Sequence, residues 1–298
     1  MSIETAVRMR TYAKVNLTLR VLGSRPDGFH EIETILHGVG LFDEIEITPI
    51  PGQVEIAMAL APGVESTLPP DDQNLVRLAA ELLREGRADR GAHVKVTKGI
   101  PIAAGLGGGS GNAAGVLVVL TELWDLHLDR RTLLATAGTL GCDVPYCIEG
   151  GTALATSRGE QLTPLPQTTP MWFVLGDTTA PLSTSAVYDA WDSLPRPQES
   201  SNASISLALG AGDTREVASS LYNDLEPAAC TLMPELIDRK QILIDAGALG
   251  ACMTGSGPTV YAIASSKDHA RSIAAKVEDR FDWVRVVGSQ HESIQRLD

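Results

Sequence analysis

Residues 99–112 read Gly-Ile-Pro-Ile-Ala-Ala-Gly-Leu-Gly-Gly-Gly-Ser-Gly-Asn and run directly into an apolar stretch of helical spacing, Ala113 to Trp124. No other segment restricts the fold as strongly. Glycines at this density reach positive φ and carry no Cβ, so successive backbone N–H groups can converge on one anion. The helix behind them adds the positive end of its dipole. A glycine loop feeding a helix in this way describes a phosphate cradle, with Ser110 at its mouth offering a hydroxyl to a phosphate or its metal ion. The segment departs from the GxxxxGK[ST] order, because no lysine follows the last glycine, and from strict GxGxxG spacing. Taken alone, it is equally a structural tight turn where helix and strand pack closely.

The overall charge narrows what such a cradle serves. A formal net charge of -13 and a pI near 4.9 oppose nonspecific attraction to nucleic acid or to an anionic membrane. A polyanionic ligand must then be met by local positive groups and a divalent cation. The 298 residues suffice for two domains of ordinary size, and two domains imply a cleft. The four cysteines, Cys142, Cys147, Cys230 and Cys252, form no CxxC pair and no metal-type spacing, which argues against a disulfide framework or a zinc site. Met1 to Met9 lacks an apolar core, and no run of roughly 18 apolar residues occurs, so neither secretion nor membrane spanning is expected. The expectation is a cytoplasmic protein.

Arg10 to Leu22 reads as a strand, followed by a turn centred on Pro26-Asp27-Gly28. Glu44 to Pro49 and Val54 to Leu60 read as strands around Pro51-Gly52, and His93 to Thr97 as a strand leading into the glycine loop. Asn74 to Glu85 has helical spacing, with Leu75, Leu78, Ala79, Leu82 and Leu83 on one face. Asp129 is placed to cap a helix that runs through Leu140 and stops at Gly141, just before Asp143. A second unit begins near residues 160–170, where Pro164, Pro166 and Pro170 precede a strand from Met171 to Leu175. Leu194 to Ser206 reads as an exposed loop. Beyond it, Val217 to Leu221, Met233 to Ala246 and His269 to Phe281 read as helices, and Gly250 to Met253, Thr259 to Ala264 and Trp283 to Val287 as strands. Helices alternating with short strands predict an α+β fold.

Three further segments place polar chemistry in apolar surroundings: Ala13-Lys14-Val15-Asn16, Gly141-Cys142-Asp143-Val144-Pro145 and Gly255-Ser256-Gly257-Pro258-Thr259. A core-facing Lys14 ammonium needs a carboxylate or phosphate nearby, and Asp143 is the obvious candidate. Such a pair beside a phosphate cradle suits phosphoryl transfer, the carboxylate accepting a hydroxyl proton and the cation offsetting charge on the transferring group. The structural alternative is a strand lysine that snorkels and an aspartate that caps a helix. The Gly255–Gly257 turn is either a second backbone nest or a hairpin turn.

These segments, in this order, resemble the GHMP kinase superfamily, whose PxxxGLGSS-type loop is seen here as Pro101-Ile-Ala-Ala-Gly-Leu-Gly-Gly-Gly-Ser. Ala13-Lys-Val-Asn-Leu, Arg25-Pro-Asp-Gly-Phe-His, Asn74-Leu-Val and Gly-Cys-Asp-Val-Pro resemble, within it, the branch acting on 4-diphosphocytidyl-2-C-methyl-D-erythritol. The resemblance covers nearly the whole chain. It implies an α+β, two-domain fold with the active site in the interdomain cleft, residues 1–165 forming an ATP-binding domain and 166–298 a domain contributing to the substrate site. A left-handed crossover, an exception to the usual rule, is implied in the first domain. It also implies ATP-dependent phosphorylation of the 2-hydroxyl of that small-molecule substrate in the non-mevalonate route to isoprenoid precursors, with ATP and Mg2+ as cofactors.

Carried over by position, Lys14 and Asp143 match the catalytic pair. Pro101, Ile102, Ala103, Ala104, Gly105, Leu106, Gly107, Gly108, Gly109, Ser110 and Gly111 match the ATP loop, with Lys98 and Asn74 toward the nucleotide. Asn16 and Thr184 fall toward the substrate. Phe29 and His30 fall at the cytidine base, Phe29 stacking on one ring face and Tyr188 closing the other. Magnesium is expected on the phosphates rather than in a protein cage. Two positions depart from the family pattern: Gly111 stands where a second serine is usual, and Phe29 where tyrosine is more common. Alternative readings are a homoserine or mevalonate kinase, against which the Asp27-Gly28-Phe29-His30 segment argues, and a regulatory nucleotide binder, against which retention of both Lys14 and Asp143 argues.

Overall fold

Alternation along the first strand decides which side chains face solvent, core and cleft. The computed structural model describes residues 6–166, 169–177, 180–195 and 201–297. It opens with β1 (Val7–Ser24), β2 (His30–Pro51) and β3 (Val54–Leu60), then α1 (Leu75–Arg84), β4 (Arg90–Lys98), α2 (Gly108–Leu123), α3 (Arg130–Leu140) and α4 (Val144–Glu149). It continues with β5 (Thr152–Ser157), β6 (Gln161–Pro164), β7 (Trp172–Asp177), α5 (Thr184–Asp192), α6 (Ala203–Ala211), α7 (Thr214–Ser219), β8 (Tyr222–Asn223), α8 (Glu226–Leu232) and α9 (Glu235–Asp245). It closes with β9 (Gly250–Met253), β10 (Val260–Ala264), α10 (Lys267–Val277), β11 (Trp283–Gly288) and β12 (Ile294–Leu297). None of these helices is long and apolar enough to cross a membrane.

An eight-stranded sheet has the backbone order β12-β1-β2-β4-β3, with β5 and β8 added on β2 and β1, and β6 on β5. A four-stranded antiparallel sheet, β11-β7-β10-β9, packs against it. Ala13, Val15 and Leu17 of β1 turn inward between the sheets, where they meet Phe173, Leu175, Tyr261 and Ile263. Because strand side chains alternate, Lys14 and Asn16 take the opposite face, yet both are buried. Register shifts after Tyr12 and after Asn16 bracket this pair on β1. Bulges of this kind re-aim side chains locally. The chain's last strand returns to β1, pairing Arg8 with Leu297 and Thr11 with Ile294.

The helix after the glycine loop is buried over most of its length, from Gly111 to Leu120, and forms the centre of a core shared with α1, α4 and the outer face of the large sheet. It begins at Gly108, five residues before the apolar run, because the glycines supply its first turn. Asp129 caps α3 by accepting the Thr132 N–H at 2.7 Å, and the helix ends at Leu140 as the sequence predicts.

The structure departs from the sequence expectation at α1, at the 194–206 loop and at α7, and β2 starts at His30 and not at Glu44. On α1 the buried residues are Val76, Ala79, Ala80 and Leu83, while Leu78 and Leu82 are exposed. The helix lies against α2 through its small residues, which rotates the buried stripe away from the leucine ridge. Of the loop expected over Leu194–Ser206, residues 196–200 lie outside the described ones, but from Ala203 the chain is helical. Ile205 and Leu209 bury against the inter-sheet core and override the polar composition before them. The helix expected over Val217–Leu221 is displaced to Thr214–Ser219, because Asp213 accepts the N–H groups of Arg215 and Glu216 and so sets an earlier start.

Candidate active site

Lys14 and Asn16 reach the same side of β1 and meet there. The Lys14 ammonium donates to Asn16 Oδ1 at 2.9 Å and lies 3.3 Å from Asp143 Oδ2. A buried ammonium is costly without such partners. Asn16 is itself fixed: its Nδ2 donates to Thr34 Oγ1 at 2.8 Å, its N–H donates to Thr254 Oγ1 at 3.1 Å, and its carbonyl accepts the Tyr261 hydroxyl at 2.8 Å. Asp143 occupies the N-cap position of α4, but its carboxylate makes no capping bond. It is turned to Lys14 instead, with its side chain 37% exposed to the cleft. The alternative of a snorkelling lysine and a capping aspartate is therefore set aside by geometry.

The glycine loop divides two cavities. One, of about 430 Å³, is lined by Asn74, Lys98, every residue from Pro101 to Ser110, and Asn112. The other, of about 490 Å³, is lined by Lys14, Asn16, Phe29, His30, Cys142, Asp143, Arg158, Tyr188, Gly255 and Ser256. Gly105, Gly107, Ser110 and Thr184 belong to both walls. Gly105 and Gly107 have φ of +75° and +73°, which side chains rarely adopt, and a Cβ on Gly105 would collide with the Thr254 carbonyl oxygen. These two glycines let the loop pass between the Thr254 backbone and the Lys14 stem. The Gly255 hairpin closes the same corner, its own Cβ position lying 3.6 Å from both Lys14 Nζ and Asn16 Oδ1.

Of the residues expected toward the nucleotide, Gly111 alone lines neither cavity. It lies in the first turn of α2, facing β1, and a Cβ there would meet Thr11 and the Tyr12 carbonyl at ordinary contact distances of 3.6 Å. The hydroxyl of a serine at this position would thus point at β1. Gly111→Ala is expected to raise stability by about 0.5–1 kcal/mol through helix propensity, read by urea unfolding. A loss of stability would show that this space is not free. Lys98 lines the nucleotide cavity, but its ammonium is committed to the Asp43 carboxylate and to Asn112 Oδ1 at 2.9 Å. Burial pushes its pKa down, against the pull of Asp43.

At the far end of the larger cavity, His30 stacks on Tyr188 with ring centroids 4.6 Å apart and bonds Asp192 Oδ1 through Nε2 at 3.1 Å. One face of Tyr188 is thereby covered by an imidazole. Burial raises the Tyr188 hydroxyl above its ordinary pKa. Phe29 is half exposed, with the Arg158 guanidinium 4.9 Å over its ring. Thr184, the first residue of α5, pairs its hydroxyl with Ser256 Oγ at 2.9 Å and ties the two walls together. Sequence reasoning missed Arg158, Thr34, Thr254 and Asp43. Asp43, directly followed by Glu44 and then by Glu46, left no signal that sets it apart from a surface carboxylate.

Comparison with known proteins finds relatives along most of the chain. The GHMP kinases N terminal domain family matches residues 74–151, and the GHMP kinases C terminal family matches 206–282. A 4-diphosphocytidyl-2-C-methyl-D-erythritol kinase of Pelotomaculum thermopropionicum is 42% identical over 89% of this chain and 91% of the relative. One from Thermobifida fusca is 41% identical over 92% of each. A crystal structure of 4-(cytidine 5'-diphospho)-2C-methyl-D-erythritol kinase superposes with a TM-score of 0.78 at 32% identity, covering 95% of this chain and 100% of that one. A homoserine kinase from Cytophaga hutchinsonii shares the fold, with a TM-score of 0.73 at 23% identity over 100% of this chain and 99% of its own.

Proposed function

The chain belongs to the GHMP kinase family, in its 4-diphosphocytidyl-2-C-methyl-D-erythritol kinase branch, and from that membership we propose how its cleft transfers a phosphoryl group from ATP to the substrate's 2-hydroxyl. One observation carries the proposal. The Lys14–Asp143 pair, 3.3 Å apart, lines the larger cavity beside Gly105, Gly107 and Ser110, which border the smaller cavity too, so donor and acceptor meet at this shared edge. Phosphoryl transfer needs little covalent help from a protein, and positioning with electrostatic stabilisation supplies most of its acceleration.

In this scheme Asp143 accepts the proton of the attacking hydroxyl. Its carboxylate is free of the helix cap and open to the cleft. Lys14, fixed by Asn16, offsets negative charge on the transferring group. Backbone N–H groups at the start of α2, with the positive helix end behind them, hold the phosphates, and Ser110 adds its hydroxyl. The Ser110 hydroxyl is an oxygen donor of the kind magnesium takes, and it fits an ion held chiefly by the phosphates of ATP. When bound, that ion neutralises charge on the β- and γ-phosphates. The ten lining residues from Pro101 to Ser110, with Asn74 and Lys98, make the smaller cavity the ATP side.

Phe29, His30 and Tyr188 make the far end of the larger cavity the cytidine side, and Arg158 offers a cation to the diphosphate between base and alcohol. Phe29→Ala is expected to raise the KM for the cytidyl substrate about tenfold, within the roughly 1–3 kcal/mol that stacking a base on an aromatic ring supplies. The KM for ATP should hold. An unchanged substrate KM would place the base elsewhere.

The function is tested by ADP release with ATP, magnesium and 4-diphosphocytidyl-2-C-methyl-D-erythritol, beside homoserine, mevalonate and a control without acceptor. Turnover with the cytidyl compound alone is expected. Turnover with another of these alcohols would overturn the assignment of the larger cavity.

A further inference from the structure

Asp43 is fully buried in β2, while its neighbours Phe42 and Glu44 are only partly so. A carboxylate in such a place must use its lone pairs, since a buried charge without partners is strongly destabilising. Here Oδ1 accepts the N–H groups of Gly99 at 2.8 Å and Ile100 at 2.9 Å. Oδ2 accepts the Lys98 ammonium and Asn112 Nδ2, the latter at 2.8 Å. Asn112 Nδ2 also donates to Thr11 Oγ1 at 2.9 Å, and Asn112 Oδ1 accepts from Lys98. One carboxylate therefore grips the last residue of β4, the first two residues of the glycine loop and the early turns of α2. Residues 101–111, which carry the N–H groups of the cradle, are strung between those two anchor points.

The arrangement has an electrostatic side as well. The Lys98 ammonium lies under the first residue of α2, 3.1 Å from where Gly108 would carry a Cβ. A cation at the positive end of a helix is unfavourable unless an anion neutralises it. Asp43 supplies that anion from inside the protein, so the outward N–H groups of the helix end remain for the ligand. We infer that Asp43 is a positioning residue for nucleotide binding: it fixes the path of the glycine loop through the Gly99 and Ile100 N–H groups rather than by touching the nucleotide. This rests on the assignment of the smaller cavity to ATP.

Removing Asp43 alone would leave the buried Lys98 ammonium with Asn112 Oδ1 as its one acceptor and risks unfolding, so Asp43 is removed only together with Lys98; in Lys98→Met the carboxylate keeps the N–H donors of Gly99, Ile100 and Asn112. Affinities for ADP and for cytidine 5'-diphosphate are measured by calorimetry on wild type, Lys98→Met, Asp43→Leu/Lys98→Met and Asp43→Asn/Lys98→Met. The Leu/Met protein should bind ADP at least tenfold more weakly than Lys98→Met. The Asn/Met protein keeps an oxygen for the two backbone N–H groups and should return to within threefold of Lys98→Met. Cytidine diphosphate affinity should stay within twofold across all three variants. Equal ADP affinity in Lys98→Met and the Leu/Met protein would overturn the proposal, as would no recovery in the Asn/Met protein. A parallel loss of both ligands would show general damage and overturn it too. A wild type that binds cytidine diphosphate but not ADP would place the fault in the cavity assignment, and the proposal would fall with it.

Discussion

Asp143→Asn should lower kcat by about three orders of magnitude while leaving the melting temperature within a few degrees of wild type. The size follows from the proposed role, since a positioned acid or base contributes roughly 10²–10⁴-fold to proton transfer. The preserved fold follows from the structure. Asp143 makes no helix-capping bond, so its carboxylate does not hold α4 in place. An asparagine has the same shape and still offers Lys14 a carbonyl oxygen in place of Oδ2, which lies 3.3 Å from the ammonium. What it cannot do is accept a proton from the attacking hydroxyl. The KM for ATP should change little, because Asp143 lines the larger cavity and not the nucleotide one. Steady-state kinetics with both substrates check this, and a rate within tenfold of wild type would remove Asp143 as the base. Lys14→Met should lose a similar factor, and the double variant much less than the product of the two, because groups acting as one unit are not additive.

The burial of Lys14 and Asn16 on one face of β1 was legible in the sequence because both residues break the local pattern. Lys14 and Asn16 are polar residues at alternate positions of an apolar strand, and strand period alone places them on one face. The glycine loop was legible because its backbone demand is unusual. Gly105 and Gly107 sit at positive φ, where the residue type and conformation explain each other. Long-range pairing left no such trace. Nothing in Ile294 to Leu297 announces that it will pair with β1, nearly three hundred residues earlier in the chain. The bonding of Lys98 was likewise hidden. Its alternation in β4 points it inward, but its partner Asp43 lies 55 positions away. Gly111 misled in a different way: it belongs to the loop by sequence, yet helix period turns it from the cavities toward Thr11. Loop membership fixes neighbourhood along the chain, while the direction of each side chain depends on where the helix begins.

Acid should weaken the seam between the two sheets through His37. This imidazole is buried between Thr152 Oγ1 at 2.8 Å and Ser289 Oγ at 2.9 Å, with the ring of Phe173 5.4 Å away. Ser289 in turn accepts the Met171 N–H at 2.8 Å, so the chain of bonds runs from the large sheet to the start of the small one. Burial, with a further push from His291, holds the His37 pKa down to about 3, below its ordinary 6.5. The sign follows from the proton count. Below pH 6.5 the unfolded chain takes up a proton at His37 that the folded chain refuses, so stability falls as pH falls, until the folded ring also titrates near 3. Above pH 6.5 neither state binds that proton and the contribution is flat. Each pH unit inside the window removes about 1.4 kcal/mol. Between pH 7 and pH 5 the loss attributable to this one residue is therefore about 2 kcal/mol. His37→Gln retains a polar side chain at the seam and cannot titrate. It should be less stable than wild type at pH 7, and its deficit should shrink by about 2 kcal/mol at pH 5, because titrating groups that do not interact with His37 cancel in the difference. Urea unfolding of both proteins at the two pH values measures this. A deficit that stays constant would mean that water reaches His37 and that the folded ring titrates near its ordinary value.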